Sequence, residues 1–237
     1  MNRERFSRIS HTGIRFWNPL DEDQLLRTLA GLPLDPGARV LDYGCGDGEL
    51  LVELARQTEI TITAVDPSAA AIDVCRKKLH GRFHCKAFDP ADFDPQSFDL
   101  IINIGASPGF SVLIQQICPL LAAGGRILIG DGHWDRKPDP AYLEFLGAQE
   151  DDMLTHDQNL RMLADAGFEL ELSVLSKLEA WDCYEDRYDA NMRAFLSENP
   201  QDEEFTAYEE RRSRWRAMYL KHGRGTMGFG LYQARMP

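Results

Sequence analysis

Between residues 38 and 131 the chain alternates short apolar runs with stretches whose apolar positions recur every three to four residues. That alternation is the signature of β-α-β units laid on a parallel sheet. The runs ARVLDYG (38–44), TITAVD (61–66), RFHCKAF (82–88), DLIINIG (99–105) and GRILIGD (125–131) predict strands, with helices at about 48–57, 69–80 and 111–122. Ser68 stands where a hydroxyl can cap the second of these helices. Ahead of residue 38 the spacing predicts one helix from Asp21 to about Leu32, closed by Pro33, Pro36 and Gly37.

After residue 131 the rhythm changes. HWDRKPDPAYLEF reads as a loop, a helix from about Asp157 to Ala166 is stopped by Gly167, and FELELSVLSK (168–177) predicts a further strand. Two helices then stand where a simple doubly wound sheet would have a short hairpin. Trp181, Tyr184, Tyr188, Met192 and Phe195 form one apolar stripe, ended by Asn199-Pro200. Phe205, Tyr208, Trp215, Met218 and Tyr219 mark the second helix, from about Asp202 to His222, and TMGFGLYQAR (226–235) predicts the last strand. The expectation is a single domain over 1–237 with a helical insertion at 180–222.

Composition narrows the class. A hydrophobic fraction of 43% over 237 residues is enough for a folded α/β domain, so disorder is not the default. A net charge of −12 argues against a broad nucleic-acid surface. The one basic run, Arg211-Arg212-Ser213-Arg214-Trp215-Arg216, follows Glu209-Glu210 and reads as a salt-bridged helix face. The N-terminus MNRERFSRISHTGIRFW lacks the apolar run of a signal peptide, and no stretch approaches the roughly 20 apolar residues of a membrane span. Five cysteines without a CxxC pair read as reduced thiols of a cytoplasmic protein. The histidines are dispersed, so no metal site is expected.

The chemistry is carried by VLDYGCGDGE, residues 40–49, a strand running into a glycine turn that opens a helix. Such turns let a ligand approach the backbone closely. Dinucleotides prefer G-x-G-x-x-G, but here the spacing is G-x-G-x-G, with Asp42 before the turn and Asp47 inside it. A pyrophosphate beside those carboxylates would be repelled by roughly 1–4 kcal/mol. S-adenosylmethionine has no phosphate and brings an ammonium and a sulfonium, so a carboxylate can hold it by a charge-assisted bond. Asp66, at the end of the second strand, can accept both ribose hydroxyls. Asp89, in AFDPADF, can accept the adenine amino group, with Phe88 or Pro90 against the ring.

VLDYGCGDGEL, AVDPSAAAI, FDLIINIGA and LLAAGGRILIGD resemble, in order and spacing, the successive motifs of the class I S-adenosylmethionine-dependent methyltransferases, across about residues 36–132. The ending WDCYEDRY…YLKHGRGTMGFGLY is similar to uncharacterised bacterial members of that superfamily. The resemblance implies a Rossmann-like α/β fold: a seven-stranded, mostly parallel sheet with helices on both faces. Its antiparallel last strand would slip between strands five and six, making 180–222 a lid inserted before that strand. It implies a cofactor set of Asp42, Tyr43, Gly44, Gly46, Asp66, Pro67, Asp89, Pro90, Ile104 and Gly105, with S-adenosylhomocysteine as product.

Ligands of such sheets bind beyond the carboxyl ends of the strands. The segments Gly105-Ala106-Ser107-Pro108-Gly109-Phe110 and Asp131-Gly132-His133-Trp134 should therefore face the methyl donor. Asn103-Ile104-Gly105-Ala106 lacks the Asn/Asp-Pro-Pro-Tyr of many nucleobase and amide N-methylating enzymes. The lid's eight aromatics could wall a small, partly apolar acceptor, although packing of the lid onto the sheet accounts for most of them. The arm with Arg3, Arg5, Arg8 and Arg15 either folds over the donor with His11 or frays. A general base is optional; His133 is the first candidate, Asp131 the next and His156 the third. Competing readings are a donor-binding protein doing non-methyl chemistry, a non-catalytic module, and a NAD-dependent oxidoreductase.

Overall fold

A computed structural model describes residues 1–106 and 108–237. Its centre is a seven-stranded sheet: β1 (Ala38–Tyr43), β2 (Ile60–Asp66), β3 (Arg82–Cys85), β4 (Phe98–Ile104), β5 (Leu121–Trp134), β6 (Glu169–Leu175) and β7 (Met227–Arg235). The spatial order is β3-β2-β1-β4-β5-β7-β6, and β7 runs antiparallel to both of its neighbours. The last strand thus enters between the fifth and sixth.

Alternation along the buried strands sends side chains to two cores. Val40, Ile62, Leu100 and Leu128 face α2 (Glu22–Ala30), α3 (Glu49–Gln57) and α4 (Ala69–Lys78). Leu41, Val65, Ile101 and Ile127 face the other way, onto α5 (Phe110–Ile117) and α7 (His156–Asp165).

Several boundaries differ from the sequence reading, each for a local reason. β3 stops at Cys85 rather than residue 88. α5 ends at Ile117, because Pro119 lacks the N–H that a continuing helix needs, and a 3₁₀ turn (Cys118–Leu120) takes over. β5 runs to Trp134 because β7 pairs with it all the way from Arg235 to Met227. The segment expected as a loop contains α6 (Pro140–Leu146), started by Asp139, whose side chain accepts from Ala141 N at 2.8 Å, with Pro140 at the first helical position.

The N-terminal arm is the larger difference. It folds as α1 (Arg3–Ser10), capped by Asn2, whose side chain accepts from Arg5 N at 3.0 Å. The insertion forms α8 (Leu178–Glu198) and α9 (Phe205–Met218), the latter closed by a π turn (Tyr219–Gly223). Only part of its aromatic stripe joins the core on the sheet, through Trp181 and Tyr219. Met192, Leu196 and Tyr208 instead bury Phe6 of α1, making a third apolar cluster of arm and lid. The basic run is the charged face it promised: Arg212 pairs with Asp189 at 2.6 Å and Glu209 at 2.5 Å, and Arg216 with Asp186 at 2.5 Å. Among the described residues no helix is long and apolar enough to cross a membrane.

Candidate functional site

The turn after β1 is held by its neighbours. Gly44 N and Cys45 N both donate to the Val65 carbonyl, at 2.8 and 3.2 Å. Gly46 N donates to Asp66 Oδ2 at 3.0 Å, while the Cys75 thiol reaches the Gly46 carbonyl at 3.2 Å. Gly44 has a φ of 75°, and a Cβ there would lie 2.2 Å from the Ala106 Cβ. No side chain fits, so the loop after β4 sits directly on the turn.

Beneath it lies Asp42, 1% exposed, with neither carboxylate oxygen hydrogen-bonded. Burial, and next the charge of Asp66, push its pKa up to about 8. A buried carboxyl without a partner is expensive, and buried polar groups are nearly always satisfied. The arrangement is relieved by a cationic hydrogen-bond donor brought to the turn. Asp66 is different: it also accepts from Ser68 N at 2.8 Å, and those backbone bonds aim it along the cavity wall.

Two hollows meet at Gly44, Asp66 and Ala106. One, of about 380 Å³, is lined by the turn from Gly44 to Asp47, by Ile104 and Gly105, and from above by Arg8, His11, Trp17 and Tyr184. The other, of about 420 Å³, is lined by Tyr43, Pro67, Phe88, Pro108 and Gln116. Tyr43 and Phe88 stack there, centroids 4.1 Å apart and planes 10° from parallel. A third cavity, of about 540 Å³, adjoins the first through Arg15, Phe16, Asn18 and Tyr184, and runs between the chain leading into α2, the end of β6 and the start of α8.

Seven of the expected cofactor residues thus line these two hollows: Tyr43, Gly44, Gly46, Asp66, Pro67, Ile104 and Gly105. Asp42 lies under the turn. Asp89 and Pro90 line neither. Because β3 ends at Cys85, Asp89 is carried past the sheet edge, where it is exposed and accepts from Ala91 N at 2.9 Å as the cap of a 3₁₀ turn (Pro90–Asp92).

The three candidate bases also line neither hollow. β5 continues to Trp134, so Asp131 and His133 remain paired with β7 instead of standing on a loop. His133 is 1% exposed, its Nε2 3.0 Å from Asp135 Oδ1, and burial lowers its pKa. His156 lies beside it, its Nδ1 3.1 Å from the Tyr232 hydroxyl, and Asp131 accepts from Gly132 N at 2.8 Å. Ser107 lies outside the described residues.

Sequence reasoning left the arm open between a cover folded over the turn with His11 and a frayed end, and the structure has the cover. Arg8 Nη1 reaches Asp47 Oδ1 at 3.2 Å, and the Ser68 hydroxyl donates to Glu4 Oε1 at 2.6 Å, so α1 is tied to the turn and to α4. Arg15 is committed to Glu22, Glu49 and Glu53. His11 stacks on Trp17 at 4.4 Å, and its Nε2 lies 2.8 Å from the Tyr184 hydroxyl. The only signal was the basic, aromatic character of the first 17 residues, which does not say what they cover.

Comparison with known proteins places this geometry. Residues 40–125 match the family model described as a methyltransferase domain. The chain is 27% identical to the uncharacterised protein YjhP of Escherichia coli (strain K12), over 98% of each chain, and the YjhP structure superposes with a TM-score of 0.84, covering 98% of this chain and all of that one. A methyltransferase structure from Geobacter sulfurreducens, in complex with S-adenosylhomocysteine, has a TM-score of 0.85 at 26% identity and 98% coverage of both chains. One from Thiobacillus denitrificans, in complex with the same ligand, has a TM-score of 0.83 at 27% identity, covering 100% of this chain and 99% of that one.

Proposed function

We propose that this chain, which belongs to the class I S-adenosylmethionine-dependent methyltransferase superfamily, transfers a methyl group from S-adenosylmethionine to a small-molecule acceptor. The observation that carries the reading is Asp42, a buried carboxyl with both oxygens unpartnered under a glycine turn. A cationic ligand answers that feature, and the methionine ammonium of the donor is such a cation. The bound S-adenosylhomocysteine of the two solved relatives supports the same cofactor.

Asp42 and the turn would hold the ammonium end, and Asp66 would accept from the ribose hydroxyls with lone pairs its backbone bonds leave open. The hollow lined by Tyr43, Pro67 and Phe88, beside the stacked Tyr43–Phe88 pair, suits the adenine ring. Asp89 is given no donor contact, since its side chain is exposed and caps its own 3₁₀ turn, and neither it nor Pro90 borders a hollow.

The donor supplies a methyl group on a positively charged sulfur, already a strong electrophile with a good leaving group. The chain's task is alignment and exclusion of water, which can contribute about 7–11 kcal/mol. The roof of α1, Trp17 and Tyr184 closes the cavity to that end. An adjoining space of about 540 Å³ is in the size range of small-molecule sites and supports a small acceptor over a polymer. The five free cysteines are consistent with a reducing, cytoplasmic setting.

The reading is tested by calorimetric titration with S-adenosylmethionine, S-adenosylhomocysteine and NAD, beside Asp66→Ala. Micromolar binding of both adenosyl ligands, lost on substitution, is expected. Tighter binding of NAD, or no adenosyl binding, rejects it.

A further inference from the structure

We propose that the cavity beside the donor site is the acceptor subsite for a hydroxylated, phenol-like molecule, and that Tyr184, backed by His11, takes the acceptor's proton. The inference rests on the methyltransferase reading above and names the substrate class of that same site. Three observations carry it.

The first is placement. Tyr184 lines both the donor cavity and the adjoining one, at the wall they share with Phe16 and Asn18. The adjoining cavity has an apolar strip along Ile14, Phe16, Leu20 and Val174, and Asp21, Arg27, Lys177, Glu179 and Arg187 also line it. A flat, largely apolar molecule entering there would bring its polar end to Tyr184 and so to the donor.

The second is the protonation pattern of His11. Its Nδ1 lies 2.7 Å from the Ser7 carbonyl oxygen, which can only accept, so Nδ1 carries a hydrogen. Burial lowers the His11 pKa, which keeps the ring neutral and leaves Nε2 with a free lone pair. The Tyr184 hydroxyl therefore donates to Nε2 across 2.8 Å. The phenol oxygen turns its own lone pairs toward the cavity, ready to accept. Trp17, stacked 12° from parallel on the imidazole, holds the ring in that plane.

The third is charge. Of the ionic groups of the donor cavity, Arg8 is engaged with Asp47, Arg15 with three glutamates and Glu4 with the Ser68 hydroxyl, while Asp66, held by the amides of Gly46 and Ser68, is the acid assigned above to the ribose. The Tyr184–His11 pair is the neutral proton acceptor at the junction.

The step balances. As the acceptor oxygen bonds to the methyl carbon, the carbon–sulfur bond breaks and its electron pair returns to sulfur. The acceptor's proton passes to the Tyr184 oxygen while the Tyr184 proton passes to His11 Nε2. The imidazolium formed donates through Nδ1 to Ser7 and then releases one proton to solvent. The products are an ether, a thioether and that proton. An amine acceptor already in its neutral form would need no such acceptor, which is why the geometry favours a hydroxyl.

The test uses the full chain saturated with S-adenosylhomocysteine and titrated with 4-nitrophenol. Wild type should bind it saturably at a pH where the free phenol is mostly protonated. Tyr184→Phe and His11→Gln should weaken that binding at least tenfold, and Val174→Trp, which fills the cavity, should abolish it while S-adenosylhomocysteine still binds. The nitrogen shifts of His11 should show hydrogen on Nδ1 alone. Nitrophenol binding as tight in both pair variants as in wild type, hydrogen on Nε2, or no saturable nitrophenol binding by the loaded wild type overturns the proposal. Failure of S-adenosylhomocysteine to bind is a separate result, and it rejects the donor reading itself.

Discussion

Arg8 of the N-terminal helix donates to Asp47 inside the glycine turn at 3.2 Å, and this contact separates the two acids of that turn. Asp47 is answered by the protein's own cation. Asp42, five residues earlier, has no partner for either oxygen. Of the two acids, the one without an internal partner is therefore the buried Asp42, and the half-buried Asp47 fastens the roof.

Asp42 should lose a proton when the donor product binds. Its folded-state pKa is raised to about 8, so it is mostly protonated at pH 7, and an ammonium beside it favours the ionised form. Titrating S-adenosylhomocysteine at pH 7 in buffers of different ionisation heat should reveal release of close to one proton. Asp42→Asn should release none and bind at least tenfold more weakly, about 1.4 kcal/mol or more. Proton uptake, or an unchanged count in the variant, would contradict this assignment.

Gly44→Ala should abolish donor binding and destabilise the fold. The residue sits at φ 75°, and the new methyl would meet the Ala106 Cβ at 2.2 Å. Strain and overpacking together predict a loss of roughly 2–4 kcal/mol. A melting temperature within a degree of wild type would refute the close approach of turn and loop.

Phe6→Ala should release the roof from the lid. Phe6 is 1% exposed, with Tyr208 packed edge-on at 5.3 Å and Met192 and Leu196 in the same cluster. Removing a buried phenylalanine costs about 3–5 kcal/mol. Limited proteolysis should then cut among the first 15 or so residues, and S-adenosylhomocysteine should bind more weakly. Protection as strong as in wild type would show that α1 docks by its ion pairs alone.

Glu185 predicts a pH-dependent cost in the lid. Burial raises its pKa to about 7, although the Trp215 indole donates to it at 2.9 Å and Arg216 opposes the shift. A carboxyl whose folded pKa lies above its unfolded value of 4.5 binds more protons when folded. Its contribution therefore falls as pH rises from about 4.5 to about 7, and stays low above that. Glu185→Gln should be more stable than wild type at pH 8, by roughly 2–3 kcal/mol, with the advantage shrinking toward pH 5. A difference independent of pH in thermal melts would exclude this origin.

The sheet and much of the donor site were legible in the residues themselves. Strands β1, β2, β4 and the middle of β5 contain apolar runs buried on both faces, which declare them without help from the rest of the chain, whereas β3 is a short, partly exposed edge strand. The glycine turn with Asp42 and Asp66 is legible because backbone conformation and charge there are set by residues adjacent in sequence. The placing of β7 followed from the family resemblance, and the ladder from Arg126–Arg235 to Trp134–Met227 is its physical expression.

What the sequence determined by itself was thus what depends on neighbours within a few positions: strand and helix periods, the helix starts at Ser68 and Asp21, and the acid-bearing turn. The tertiary structure alone decided the rest. It left Asp89 outside the hollows by ending β3 three residues early, and it carried His133 into a buried strand by pairing it with β7. It also folded the basic arm into a roof through Phe6, Arg8 and His11, whose partners stand in the glycine turn and in a lid about 170 to 200 residues away. Contacts of that range depend on where the sheet holds each element, and no local pattern of hydrophobic and polar residues encodes them.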